Sequence, residues 1–329
     1  MKLGIIGSGM IVKTFLPCIQ NMSEYELAAI ASTERSFSQT KQLAEQYKIK
    51  KVYSDYRLLL DDQEVEVVYI ATPNHLHYIM CKEALQKDKN VICEKPFVAD
   101  DKQLAELADL AKEKKLFLLE AIAPTFYPNV TKIKEVLPLI GDIKIISGNY
   151  SKYSSRYSAF KQGTILPTFD INCCGGALMD INIYNIHMLS LLFGEGENVQ
   201  YHANIKNGID TSGIITVDYP NFKAVLIGSK DCTADNYFCI QGENGTIEIK
   251  PSSSSTKDIY IHLKDETIKY LAEENVHYMY YEFKKFAEII ENKDYKQADD
   301  LLEISQIVMR TATKARYDAN IHFSSDNMK

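Results

Sequence analysis

The chain has 329 residues, 46% of them hydrophobic and 25% charged, and a formal net charge of −7. This length and balance suit two globular domains with full cores, and an acidic chain with no basic stripe excludes nucleic acid from the expected partners. The opening MKLGIIGSGM lacks a cleavable leader pattern, no apolar run is long enough to span a bilayer, and the seven cysteines have no CxxC spacing, so a cytoplasmic protein with neither membrane contact nor metal site is expected.

In chain order, apolar runs at 3–6, 27–31, 65–71, 91–93 and 116–119 read as strands. The intervals carry helical periods: Met10, Phe15, Leu16 and Ile19, then Leu43, Ala44 and Tyr47, then Leu104, Leu107, Ala108 and Ala111. Near-continuous apolar strands alternating with helices mean a parallel, doubly wound sheet covered on both faces. The pattern changes after Pro124 and Pro128. A helix is predicted over 130–137, then strands at 143–153, 201–205, 213–219, 222–227, 237–241, 246–249 and 259–263. Turn signals at Pro220-Asn221, Asn244-Gly245 and Lys264-Asp265 separate several of them and favour antiparallel pairing. One helical segment, 176–192, interrupts the strands, the serine run 252–255 reads as a loop, and helices over 278–290 and 301–317 close the chain. The fold class is therefore α/β, with a Rossmann-type domain over 1–121 and an α+β domain over 122–329.

The first strand ends in Gly7-Ser8-Gly9, and Met10 and Ile11 open a helical pattern directly after it. Two glycines between a strand and a helix let backbone approach a pyrophosphate, which the unpaired N–H groups and dipole of the helix N-terminus then favour. The third glycine of the dinucleotide fingerprint is replaced by Val12. At the end of the second strand, where an acidic side chain would select NAD(H), stands Ser32, followed by Thr33, Glu34 and Arg35. Thr33 and Arg35 suit a 2′-phosphate, so NADP(H) is the preferred cofactor, and Glu34 keeps NAD(H) open.

Two further segments are distinctive: Ala71-Thr72-Pro73-Asn74-His75-Leu76-His77, and Val91-Ile92-Cys93-Glu94-Lys95-Pro96. Together with the glycine loop and the stretch Gly175-Gly176-Ala177-Leu178-Met179-Asp180-Ile181-Asn182-Ile183-Tyr184, they resemble the Gfo/Idh/MocA family. The resemblance implies a Rossmann domain followed by a domain with a large, open, mostly antiparallel sheet. It also implies hydride transfer between nicotinamide and a hydroxyl or carbonyl carbon of a sugar, cyclitol or dihydrodiol. By position it makes Lys95 the catalytic lysine and Asp180 the motif aspartate, with Tyr184 where many members have histidine. Thr72, Pro73, Asn74, His75, His77, Glu94 and Lys95 join Gly7, Ser8, Gly9, Met10, Ile11, Ser32, Thr33 and Arg35 as expected cofactor contacts. Asn182 replaces the motif's usual glycine, and Thr125 stands where many members have arginine.

Asp180, Tyr184 and His187 recur at i, i+4 and i+7, one face of a helix. His187 is either a substrate contact or a satisfied core histidine. Tyr127, Tyr153, Arg156 and Tyr157 suit the polar face of a polyol. In the expected chemistry Tyr184 is the general acid/base. A free phenol is a poor base at neutral pH, so the charge of Lys95 stabilises its phenolate. Alternatively Lys95 carries the proton itself. Asp180 orients Lys95 or binds a substrate hydroxyl, and Lys95 and Tyr184 are expected to meet beside the nicotinamide. The open sheet predicts a homodimer or higher homo-oligomer packed through it. A non-catalytic nucleotide-binding sensor with the same fold is the alternative function.

Overall fold

The computed structural model describes residues 1–271 and 276–327. It divides into two compact units, one formed by Met1–Ala121 with Met279–Glu303, the other by Ile122–Tyr278 with the chain from Ile304 onward. In the first unit, β1 (Lys2–Ile6), β2 (Glu26–Ala31), β3 (Lys51–Tyr53), β4 (Val67–Ile70), β5 (Asn90–Glu94) and β6 (Leu118–Ala121) form a sheet in the order β3-β2-β1-β4-β5-β6. All five pairings are parallel. Their connections carry α1 (Met10–Ile19), α2 (Phe37–Tyr47), α3 (Tyr56–Asp61), α4 (His77–Gln86) and α5 (Asp101–Lys114). Every residue of β4 is apolar and buried, as a strand covered on both faces requires. The start of α5 is written locally: Asp100 accepts the Gln103 N–H at 2.9 Å, and Gln103 in return accepts the Ala99 N–H at 3.1 Å.

Met279–Glu303 belongs with the first unit, so an undivided second domain over 122–329 does not describe the packing. The reason is aromatic. Phe283 of α9 (Tyr280–Glu291) lies 4.5 Å from Phe15 and 5.2 Å from Tyr69 between ring centroids, and its carbonyl accepts the buried Tyr25 hydroxyl at 2.7 Å.

The second unit holds α6 (Pro128–Val136), β7 (Ile143–Ser151), α7 (Tyr157–Lys161), α8 (Ile183–Phe193), β8 (Val199–Lys206), β9 (Ile209–Asp218), β10 (Lys223–Ser229), β11 (Tyr237–Gly242), β12 (Gly245–Ser252), β13 (Ser255–Leu263) and β14 (Thr267–Tyr270). The eight strands run in the order β14-β13-β12-β11-β7-β10-β9-β8. All neighbours are antiparallel except β7 and β10, which are parallel. One face is apolar and buried, with Ile146, Ile215, Val217, Leu226, Phe238, Ile240 and Ile247 pointing inward, and α8 packs on β7 and β10. The chain ends with α10 (Tyr295–Asp318) and a tail whose Asp326 takes two hydrogen bonds, at 2.6 and 2.7 Å, from the fully buried Arg316.

Short elements outside the sequence reading include β3, α3, α7 and β14, of three, six, five and four residues. None carries a full hydrophobic period, and β3 is an edge strand. The serine run also differs from the loop expected of it. Ser252 pairs with Ser255 at the ends of β12 and β13, which leaves Ser253 and Ser254 as a two-residue turn. The helical segment expected over 176–192 is broken in kind, with a π-helical turn over Leu178–Asn182 before α8. Among the described residues, no helix is long and apolar enough to cross a membrane.

Candidate active site

In the first sheet the strand order reverses between β1 and β4, and the ends of these strands carry the glycine turn and the Ala71–His77 segment. Open α/β sheets bind ligands at that reversal. Gly7 has φ +124°, and a Cβ there would fall 2.3 Å from the Ala71 carbonyl oxygen, so no other residue fits. Its N–H donates to Ala31 O at 2.8 Å, and the Ala71 N–H to Ile6 O at 2.9 Å. Gly9 then caps α1 without a side-chain hydrogen bond, no acidic residue stands in the first turn, and a side chain on Gly9 would meet nothing within 4 Å. Open N–H groups beside bare backbone fit a pyrophosphate. Ser8 and Val12 are buried, Ile11 is half-buried and Met10 is 72% exposed.

At the end of β2, Ser32 accepts the Thr40 hydroxyl at 2.6 Å, and Thr33 faces Ser36 across 3.1 Å. Thr33, Glu34 and Arg35 are exposed, and Arg35 has no ion-pair partner among the described residues.

The Thr72–His77 and Glu94–Pro96 segments are tied together. His77 is fully buried at the first turn of α4, with Nδ1 2.9 Å from Pro96 O and Nε2 2.9 Å from Thr72 O. Burial holds this imidazole below its usual range, against the pull of the two carbonyls. From that position His77 holds the loops and does not face a ligand, a correction to its expected place among the cofactor contacts. Pro73 and His75 are exposed and Asn74 is half-buried in a single 3-10 turn. The loop after β5 has two more ties: the Tyr69 hydroxyl donates to Glu94 at 2.6 Å, and the Phe97 N–H to the buried Glu120 at 3.2 Å. Lys95, half-buried and joined to Pro96 by a cis peptide, sits between these anchors. Withdrawal from water pushes the Glu94 carboxyl up to about 7, although the Tyr69 hydroxyl and the Lys95 charge oppose the rise.

In the second unit, Asp180 lies on the π-helical turn and Tyr184 in the first turn of α8, both half-buried. A π-turn inside a helix often marks a functional position. Gly176 makes it possible here: its φ is +105°, and a Cβ would fall 2.0 Å from Asp210 Oδ1. Asp210 is buried and accepts the Leu178 N–H at 2.6 Å and the Tyr201 hydroxyl at 2.7 Å. Burial pushes its carboxyl up, and these two donors oppose the shift. Asp180 accepts the Thr168 hydroxyl at 3.0 Å and pairs with Lys230 at 2.5 Å. Tyr184 meets Tyr150 edge to face at 5.7 Å. The departure at Asn182 also has its counterpart. Asn182 packs where a Cβ on Gly228 would fall 2.6 Å away, and it donates to Leu226 O at 3.1 Å, so the glycine on β10 makes room for the larger side chain.

Of the expected substrate contacts, His187 and Tyr127 are buried, at 3% and 7% exposure. His187 thus lies in the core of the second unit. Arg156 is exposed, and Tyr157 is half-buried 5.6 Å from Phe169, whose ring lies 4.6 Å from the Lys230 ammonium. This aromatic contact brings Tyr157 into the neighbourhood of Asp180. Thr168, Asp210 and Lys230 escaped the sequence reading. They are single polar residues in apolar or irregular stretches, with no spacing to link them to Asp180.

Residues 1–121 match the model described as "Oxidoreductase family, NAD-binding Rossmann fold", GFO_IDH_MocA, and residues 138–248 match the GFO/IDH/MocA C-terminal domain. The scyllo-inositol 2-dehydrogenase (NADP+) IolU of Bacillus subtilis (strain 168) is 30% identical over 328 residues, 99% of each chain. The trans-1,2-dihydrobenzene-1,2-diol dehydrogenase of Mus musculus is 29% identical over 259 residues, 76% of this chain and 74% of that protein. Among solved structures, the 3-ketoreductase KijD10 from Actinomadura kijaniata with NADP and TDP-benzene is similar in fold. Its TM-score is 0.82 at 21% identity, covering 96% of this chain and 98% of that one.

The raised Glu94 carboxyl has a measurable consequence. From its ordinary 4.5 up to about 7, the folded chain keeps a proton that the unfolded chain has released, so stability falls as pH rises across that window. Glu94→Gln, which cannot ionise, is expected to unfold at a higher temperature than the parent at pH 8 and to gain nothing at pH 4.5. Thermal unfolding at both pH values checks this, and an equal difference at the two would overturn it.

Proposed function

The chain belongs to the Gfo/Idh/MocA family of NAD(P)-binding oxidoreductases, and from that premise we propose that it transfers a hydride between NADP(H) and a hydroxyl or carbonyl carbon of a small polyhydroxylated ring, a cyclitol, sugar or dihydrodiol. The observation that carries this reading is the anchoring of the Lys95 loop by His77, Tyr69 and Glu120, beside an uncapped helix N-terminus. Catalysis needs a charge held in place before the reaction begins, and three ties from buried or half-buried groups supply that. The names of the inositol and dihydrodiol dehydrogenases support the substrate class.

The nicotinamide, when bound, supplies or takes the hydride. The glycine turn and the N-terminus of α1 would hold the pyrophosphate of the dinucleotide, and Thr33 and Arg35 would meet its 2′-phosphate. Tyr184 exchanges the proton of the substrate hydroxyl, and Lys95 lends positive charge to the oxygen that becomes an alkoxide. Asp180 accepts a substrate hydroxyl and so fixes the ring. Seven free thiols fit a reducing compartment such as the cytoplasm.

The assembly proposed is a homodimer or higher homo-oligomer packed through the outer face of the eight-stranded sheet. Ile145 and Ile214 lie on that face at 47% and 42% exposure; on β10 between them, Ile227 pairs with Ile214, and Val225 stands opposite Ser147 and Thr216. Apolar side chains grouped on a solvent face mark an interface.

Light scattering at micromolar concentration is expected to give at least twice the mass of one chain, and a monomer would rule the assembly out. Calorimetric titration is expected to find NADPH bound more tightly than NADH. Arg35→Ala should weaken NADPH about tenfold, as for loss of a charge-assisted hydrogen bond, and leave NADH unchanged; tighter binding of NADH by the parent would overturn the choice. Tyr184→Phe should lower turnover of inositols, sugars or dihydrodiols by roughly 10²–10⁴-fold, and Lys95→Ala by orders of magnitude. If Tyr184→Phe retains most activity while Lys95→Ala does not, the lysine carries the proton.

A further inference from the structure

Lys230 is the largest unexplained electrostatic feature of the second unit. Its side chain is 2% exposed, and lysine is almost never buried unless paired. The position is set by backbone: directly after β10, the Lys230 N–H donates to Thr211 O at 2.9 Å, and its carbonyl accepts the Ser154 N–H at 2.9 Å. An ammonium has three donors and no acceptor, and here three acceptors surround it: Asp180 Oδ2 at 2.5 Å, Thr168 O at 3.1 Å and the Thr168 hydroxyl. The same hydroxyl donates to the same Asp180 oxygen at 3.0 Å, and the Phe169 ring lies 4.6 Å from Nζ. Lys230, Thr168 and Asp180 form a closed triangle in which every side is a hydrogen bond.

The triangle is asymmetric. The Asp180 side chain is 34% exposed, against 2% for Lys230. Enclosing a charge seldom adds net stability, so stability alone does not account for a buried ammonium here. Here the cation is enclosed and the carboxylate reaches the surface on a π-turn. The cation also bears on Asp210, the buried carboxylate under the same turn, whose raised carboxyl it helps to draw down. It therefore acts on the side chain of Asp180 and on the support beneath it.

We propose that Lys230, with Thr168, is a positioning residue that locks the Asp180 carboxylate in the orientation in which it receives a substrate hydroxyl. This rests on the reading of Asp180 as a site residue. Lys230 touches no substrate, and its effect passes through Asp180.

The test is a double-mutant cycle with a structural arm. In crystals of Lys230→Met, the Asp180 carboxylate is expected to leave its place or spread over several rotamers while the Leu178–Asn182 backbone stays. A carboxylate unmoved in the variant would overturn the proposal. With scyllo-inositol and NADP+ as the probe, Lys230→Met should lower kcat about 10- to 100-fold, as seen when outer partners that orient metal ligands are removed, with KM for NADP+ unchanged. In an Asp180→Asn background the same substitution should cost almost nothing more. Full additivity of the two losses would refute action through Asp180. If Lys230→Met does not fold, Lys230→Gln keeps two donors without the charge and should show the same non-additivity at smaller amplitude. An Asp180→Asn variant as active as the parent would remove the reading of Asp180 itself, whatever Lys230→Met does to the carboxylate, so the two failures are distinguishable.

Discussion

At the ends of β1 and β4 two stretches of backbone run closer together than any side chain permits. A Cβ on Gly7 would fall 2.3 Å from the Ala71 carbonyl oxygen. That approach lets the glycine turn, the N-terminus of α1 and the Thr72–His77 segment share one edge of the sheet. The parallel order sets up the crevice, since neighbouring connections leave in opposite directions where the order reverses. The glycine lets the crevice close down on backbone, so that what faces a ligand is N–H groups and a helix dipole.

Both units then solve a common problem, which is how to hold an irregular segment still. In each, the answer is a buried polar side chain that hydrogen-bonds the backbone of the segment. His77 bridges Thr72 O and Pro96 O, and Glu120 takes the Phe97 N–H. Asp210 takes the Leu178 N–H under the π-turn, and Asn182 reaches Leu226 O. An unmatched polar group in a core is costly, so one that finds a backbone partner is specific: few other conformations of the segment would supply it. The loop bearing Lys95 and the turn bearing Asp180 are irregular in backbone and yet fixed by such groups.

Charge follows the same division. Glu94 lies beside Lys95 with its carboxyl raised toward neutrality by withdrawal from water, so the net charge next to that lysine changes within the working range of pH. Asp180 is tied to an enclosed ammonium. Local desolvation acts on the carboxylate in one unit and a local counter-ion holds that in the other, although sequence chemistry alone treats the two alike.

The sequence by itself determined the alternation that makes the first sheet parallel, the strands of the second, the glycine turn and the residues that carry the family resemblance. These are legible because they are local: strand periods, a two-glycine turn and a capping residue such as Asp100 act over a few positions. Short elements such as β3 and β14 carry too few residues to show a period. Only the tertiary structure decided that Met279–Glu303 returns to the first unit, that His77 is a buried bridge, that His187 lies in the core, that Asn182 is matched by Gly228, and that Asp180 belongs with Lys230, fifty positions away. Each depends on a contact between residues remote in sequence, set by how sheets and helices stack. A lone lysine after a strand reads as a solvated charge until the fold encloses it.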